Sequence, residues 1–85
     1  MQVLIGLPAY NEEAGIANVL RKITRYKAVS RYNIQVLVVD DGSSDRTADI
    51  VRDYASQHSY ISLLKHSKNK GLGEAIKTIL DYAVN

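Results

Sequence analysis

A chain of 85 residues with no cysteine, a net charge of +2 and 24% charged against 46% hydrophobic residues excludes a disulfide framework, a thiolate metal centre and a disordered polyelectrolyte. Its mild, scattered basic charge is too weak for a nucleic-acid surface, and no apolar run approaches the roughly 20 residues of a membrane span. One small domain is expected, burying roughly 60–65% of its unfolded surface; the lack of cysteine and of a signal-like start points to the cytoplasm.

In chain order, Gln2 to Leu7 is a short apolar run that predicts a first strand, stopped at Pro8 because proline gives no donor to a ladder. Gly6 within it has two readings: a weak point, or room for close approach of backbone or ligand. Asn11 suits an N-cap, and Glu12 and Glu13 suit a first helical turn. The helix they predict has an apolar stripe at Ile16, Val19, Leu20 and Ile23, extended by Tyr26. Lys27 to Asn33 reads as the connection to a second strand, Ile34 to Val39. Its four apolar residues Val36, Leu37, Val38 and Val39 fit a strand covered on both faces, as in a parallel sheet.

After the turn Asp40 to Ser44, a second helix is predicted with Ser44 as N-cap, Asp45 complementing its dipole, and Ile50, Val51 and Tyr54 inward. Ser56 to Ser59 breaks the pattern, and Tyr60 to Leu64 reads as a third strand ending near Lys65-His66-Ser67. The loop Lys68 to Gly73 leads to a last helix whose apolar face is Ala75, Ile76, Ile79, Leu80 and Ala83, running to the C-terminus.

Alternating strands and helices predict an α/β, three-layer (αβα) Rossmann-like parallel sheet of order 3-2-1. The first two helices share one face and the third crosses the other. The first strand is left at an edge, a template for self-association.

Three loops then meet at the carboxyl ends of the strands, where open α/β sheets bind ligands. Tyr10 offers a ring for stacking a planar base, Asp41 can accept from a base N–H, and Lys70 can meet a phosphate. A nucleoside diphosphate across the strand ends would use each group once. Blander roles stand beside these: Glu13 and Asp45 as helix-start charges, Asp40 as a hydrogen-bond acceptor within its turn. His58 and His66 have no partner spacing for a metal site or triad. Gly71-Leu72-Gly73 lacks the third glycine of a dinucleotide fingerprint.

Leu7-Pro8-Ala9-Tyr10-Asn11-Glu12-Glu13, Val38-Val39-Asp40-Asp41-Gly42-Ser43-Ser44-Asp45-Arg46-Thr47 and Asn69-Lys70-Gly71-Leu72-Gly73-Glu74-Ala75-Ile76, in that order, resemble the N-terminal half of a family-2 glycosyltransferase with the GT-A fold. The resemblance implies that residues 1–85 form the nucleotide-sugar-binding portion of a transferase that uses a UDP-sugar or GDP-sugar donor. Pro8, Ala9, Tyr10 and Glu12 would surround base and ribose, Asp41 would lie at the base edge, Lys70 and Gly71 would face the diphosphate, and Asp40 would belong to the same nucleotide-binding set. The Tyr-Asn-Glu-Glu and Gly-Leu-Gly-Glu-Ala wording resembles the branch that transfers to polyprenyl or dolichyl phosphate, which implies membrane association for a full-length member. Family members use Mg²⁺ or Mn²⁺ held by an Asp-x-Asp motif that this sequence does not contain, so nucleotide binding without transfer is expected. Two other classes fit less of the sequence. A phospho-receiver domain also has an acidic pair, but after its first strand, and needs an aspartate where Lys65-His66-Ser67 stands. A non-catalytic interaction fragment would keep the pattern and bind nothing.

Overall fold

Val36, Leu37, Val38 and Val39 are each 1% exposed or less, which requires a central strand covered on both faces. The computed structural model, which describes residues 1–84, supplies that setting. Its elements are β1 (Gln2–Ala9), α1 (Ile16–Val29), β2 (Asn33–Asp40), α2 (Thr47–Gln57), β3 (Ile61–Lys65) and α3 (Leu72–Val84). The strands form one parallel sheet in the order β1-β2-β3, the expected order, with β1 at an edge. Asn85, the last residue expected in the final helix, lies outside the described residues.

Alternate side chains of β2 serve opposite layers. Ile34, Val36 and Val38 pack with Ile16 and Leu20 of α1, Val51 of α2 and Ile61 of β3. Leu37 and Val39 face the other way, against Ala75 and Ile79 of α3 and Leu4 of β1. Three layers result. Gly6 matters for the second interface: a Cβ there would lie 2.5 Å from Ile79 Cγ2, so the glycine admits α3 onto β1. The close neighbour is neither the backbone nor the ligand of the second reading but a helix side chain.

Several local expectations shift. β1 continues through Pro8, which pairs in register with Val39, because an edge strand tolerates a missing donor. α1 begins at Ile16 rather than at Asn11, whose backbone is left-handed at φ 51° and therefore cannot take the extended conformation of an N-cap. Tyr26 is 53% exposed and does not extend the stripe; on α3, Ile76 and Leu80 point outward while Ala75 and Ile79 point in. Among the described residues, no helix is long and apolar enough to cross a membrane.

Candidate functional site

The sheet register aligns Ala9, Asp40 and Lys65, so the three strands end level and their following loops meet at one rim. The ladder runs one step further at each junction: Asp41 N–H donates to the Ala9 carbonyl at 2.8 Å and His66 N–H to that of Asp40 at 2.9 Å.

The loop after β2 is the hub. Its side chains, with Thr47 at the start of α2, capture three consecutive backbone amides of the loop after β1: Asn11 N–H donates to Ser43 Oγ at 2.8 Å, Glu12 N–H to Thr47 Oγ1 at 2.8 Å, and Glu13 N–H to Asp45 Oδ2 at 3.1 Å. Asn11 returns the contact, its Oδ1 accepting from Ser44 N–H at 2.9 Å. Both loop motifs are thus explained as two halves of one interlock. The arrangement also reassigns the helix start. Ser44 gives its amide to Asn11, and Asp45 Oδ1 takes the Thr47 N–H at 2.9 Å in its place, an Asx-type turn. Desolvation raises the Asp45 carboxyl, but the Thr47 hydroxyl and the Thr47 and Glu13 amides outweigh it, and the net direction is down.

Asp41 joins the hub to the loop after β3. Its Oδ1 accepts from His66 Nδ1 at 2.8 Å and from Lys70 N–H at 2.9 Å, and its Oδ2 accepts from Gly71 N–H at 2.9 Å. The His66 hydrogen bond, followed by the Lys70 amide, holds this carboxyl below the usual carboxylate range, against a smaller opposing push from burial. Gly42 is obligatory here: its φ is +73°, and a Cβ would lie 2.3 Å from the Lys68 carbonyl carbon.

Between these loops lies a cleft of about 310 Å³ lined by Pro8, Ala9, Tyr10, Glu12, Asp41, Asn69, Gly71, Leu72 and Ala75. That volume sits at the lower end of small-molecule sites, about 300–1,000 Å³. A recess of about 620 Å³ elsewhere, lined by Leu64, Thr78, Asp81 and Tyr82, has no such meeting of strand-end loops. Of the eight residues proposed from sequence, Pro8, Ala9, Tyr10, Glu12, Asp41 and Gly71 line the cleft. Tyr10 is 47% exposed, its ring open to a stacking partner.

Asp40 and Lys70 do not line it. The Asp40 side chain belongs to the α1/α2 face of β2, fully buried, where it accepts from the Ser43 hydroxyl. Its Oδ2 has no hydrogen-bond partner among the described residues, and the Lys65 ammonium stands 4.0 Å away. Lys70 contributes its amide to Asp41 while its side chain is exposed. Sequence reasoning passed over Leu72, Ala75 and above all His66, which carries no signal in spacing because its partners are 25 and 12 residues away. Among the described residues, no group of three or more His, Asp or Glu side chains is placed to hold a metal ion.

The Glycosyl transferase family 2 profile matches residues 4–85. A dolichyl-phosphate beta-glucosyltransferase of Trichomonas vaginalis is 41% identical over 76 residues, covering 84% of this chain and 23% of its own length. A dolichol-phosphate mannosyltransferase of Pyrococcus furiosus is 30% identical over 76 residues, covering 89% of this chain and 21% of its own length. Among solved structures, a mannosyltransferase from Pyrobaculum calidifontis in complex with GDP-Man and Mn²⁺ has a TM-score of 0.71 and 26% identity, over 93% of this chain and 23% of that one. The chain therefore spans less than a quarter of the length of each of these proteins. With the family profile running over all but the first three residues, and a fold shared with a solved sugar transferase, the chain belongs to glycosyl transferase family 2.

Proposed function

We propose that this chain forms the nucleotide-binding part of a donor site in a transferase that moves a sugar from a nucleoside diphosphate to a polyprenyl or dolichyl phosphate. The observation that carries the reading is the placement of Tyr10 and Asp41 on one cleft at the ends of parallel strands. The Tyr10 ring stacks on the base. Asp41 carries three donors on two oxygens, which leaves acceptor capacity for a base N–H. Pro8 and Ala9 form the floor, Glu12 accepts from ribose hydroxyls, and Gly71 with the exposed Lys70 ammonium lies toward the diphosphate.

The acceptor class follows the names of the two lipid-phosphate transferases among the relatives, and the donor class follows the GDP-Man bound by the Pyrobaculum protein. In such a transfer an acceptor phosphate oxygen bonds to the anomeric carbon as the nucleoside diphosphate leaves with the bonding pair. No residue of this chain is assigned to that step. Among the described residues no three His, Asp or Glu side chains are grouped to hold a metal ion such as the Mn²⁺ of the Pyrobaculum complex, and the roles proposed here for this chain's residues are to bind and orient the nucleotide. A lipid-phosphate acceptor would bring the protein to a membrane surface with its donor site in the cytoplasm.

Titration with UDP and with GDP, followed through the amide signals of Tyr10, Asp41 and Gly71, tests the reading. Saturable shifts confined to the rim are expected for at least one nucleotide. Rim signals that stay still with both would remove it.

A further inference from the structure

A carboxylate at a base edge is selective only if its orientation is fixed, and Asp41 is fixed by His66 and by the Lys70 and Gly71 amides. His66 bridges two elements: Nδ1 is 2.8 Å from Asp41 Oδ1, and Nε2 is 2.9 Å from Thr78 Oγ1 of α3. The side chain of His66 is 12% exposed and does not line the cleft. It touches the site through Asp41.

An ionised carboxylate only accepts, so Nδ1 must carry the hydrogen of the Asp41 contact. Thr78 Oγ1 also lies 3.0 Å from the Glu74 carbonyl, to which it can only donate. While it does so, Nε2 needs a hydrogen of its own and the ring is an imidazolium. When the ring is neutral, Thr78 turns its proton to Nε2 and releases the Glu74 carbonyl. In both states Nδ1–H stays on Asp41. Oδ1 then holds two donors, His66 and the Lys70 amide, while Oδ2 holds the Gly71 amide alone. A carboxylate oxygen has about two acceptor positions, so the open one is on Oδ2.

We infer that His66 is a positioning residue for the cleft: braced against Thr78, it fills Oδ1 of Asp41 and so leaves Oδ2 as the oxygen that receives a ligand N–H. The role of the open oxygen rests on the nucleotide reading; the hold on Asp41 does not.

Three measurements test it on the full chain. In the unmodified protein, ring ¹⁵N signals should show Nδ1 protonated throughout the neutral pH range; an Nε2–H tautomer overturns the inference even if every variant unfolds. In His66→Ala, the Asp41 carboxyl should titrate at higher pH, the Lys70 and Gly71 amides should shift, and UDP or GDP should bind roughly tenfold more weakly. His66→Asn, whose side-chain N–H can stand in for Nδ1–H, should restore most of these readouts, and Thr78→Val, which removes the brace and keeps the Nδ1 contact, should move the Asp41 titration in the same direction by less than His66→Ala does. An Asp41 titration indifferent to His66→Ala, no rescue by asparagine, or an equal shift in Thr78→Val would each overturn it. If neither nucleotide binds the unmodified chain, the nucleotide reading fails while the ring signals and the Asp41 titration still decide the role of His66.

Discussion

The two faces of the sheet are unequally built. On the α1/α2 side, Leu20, Ile34, Val36, Val38, Val51 and Ile61 are all 3% exposed or less, whereas α3 covers its side with Ala75 and the half-buried Ile79 over Leu37, Val39 and Leu4. Two helices close one face and a single helix roofs the other. The cleft opens on the thinner side, where Leu72 and Ala75 of α3 form part of its lining beside Asp41. The lesson is a division of labour: the thick face holds the strands rigid, and the thin face leaves the strand ends accessible while hydrogen-bonded loops keep them in place.

Unfolding measurements can break or sharpen this contrast. Leu20→Ala, on the thick face and fully buried, should cost about 3–5 kcal/mol in urea denaturation. Such a loss is a large share of the stability of a small domain. Gly42→Ala should cost about 2–4 kcal/mol, since it demands a left-handed alanine against backbone of the neighbouring loop; a cost below about 1 kcal/mol would mean the loops are not in contact as described. On the thin face, Ile79→Ala should cost only about 1–2 kcal/mol, because that side chain is half-buried and its neighbourhood can relax. Equal losses for Leu20→Ala and Ile79→Ala would erase the difference between the faces.

A pH series addresses the loops that bound the thin face. Asp41 has a folded-state carboxyl held below its ordinary value of 3.8 by His66 and by the Lys70 and Gly71 amides. A depressed carboxyl contributes stability that is present above the unfolded value and lost as pH falls through the folded one. Stability should therefore decline as the pH drops below about 4, with Asp45 adding in the same direction. Asp41→Asn should show a shallower acid decline, read from chemical denaturation at successive pH values; an identical decline would assign the acid sensitivity to other groups. The smallest effect is expected at Tyr26, whose replacement by serine should stay within about 0.5 kcal/mol because the residue is 53% exposed and belongs to neither buried cluster.

Local physics made much of this legible in advance. The uninterrupted apolar run Val36 to Val39 required a strand covered on both sides, and strand-helix alternation then left few topologies open. Tyr10, Asp41 and Gly71 could be placed at the rim because strand ends are read from where apolar residues stop. Helix starts were harder. Asn11 and Ser44 are good caps in isolation, yet Asn11 Oδ1 accepts from both the Ser44 N–H and the Ser44 hydroxyl, and Asp45 serves the second helix instead. A helix stripe also overstates burial: Val19, Ile76 and Leu80 have the right spacing, but only a neighbouring layer decides whether a spaced apolar residue is covered.

By itself, then, the sequence determined the element order, the parallel sheet and the rim where chemistry belongs, because apolar period and chain punctuation act over a few residues. Tertiary structure alone decided that Asp40 turns into the core while Asp41 turns to the cleft's side, that Gly6 yields to Ile79, and that His66 meets both Asp41 and Thr78. Those outcomes depend on contacts between residues far apart in the chain, and such distances are set only when the layers close.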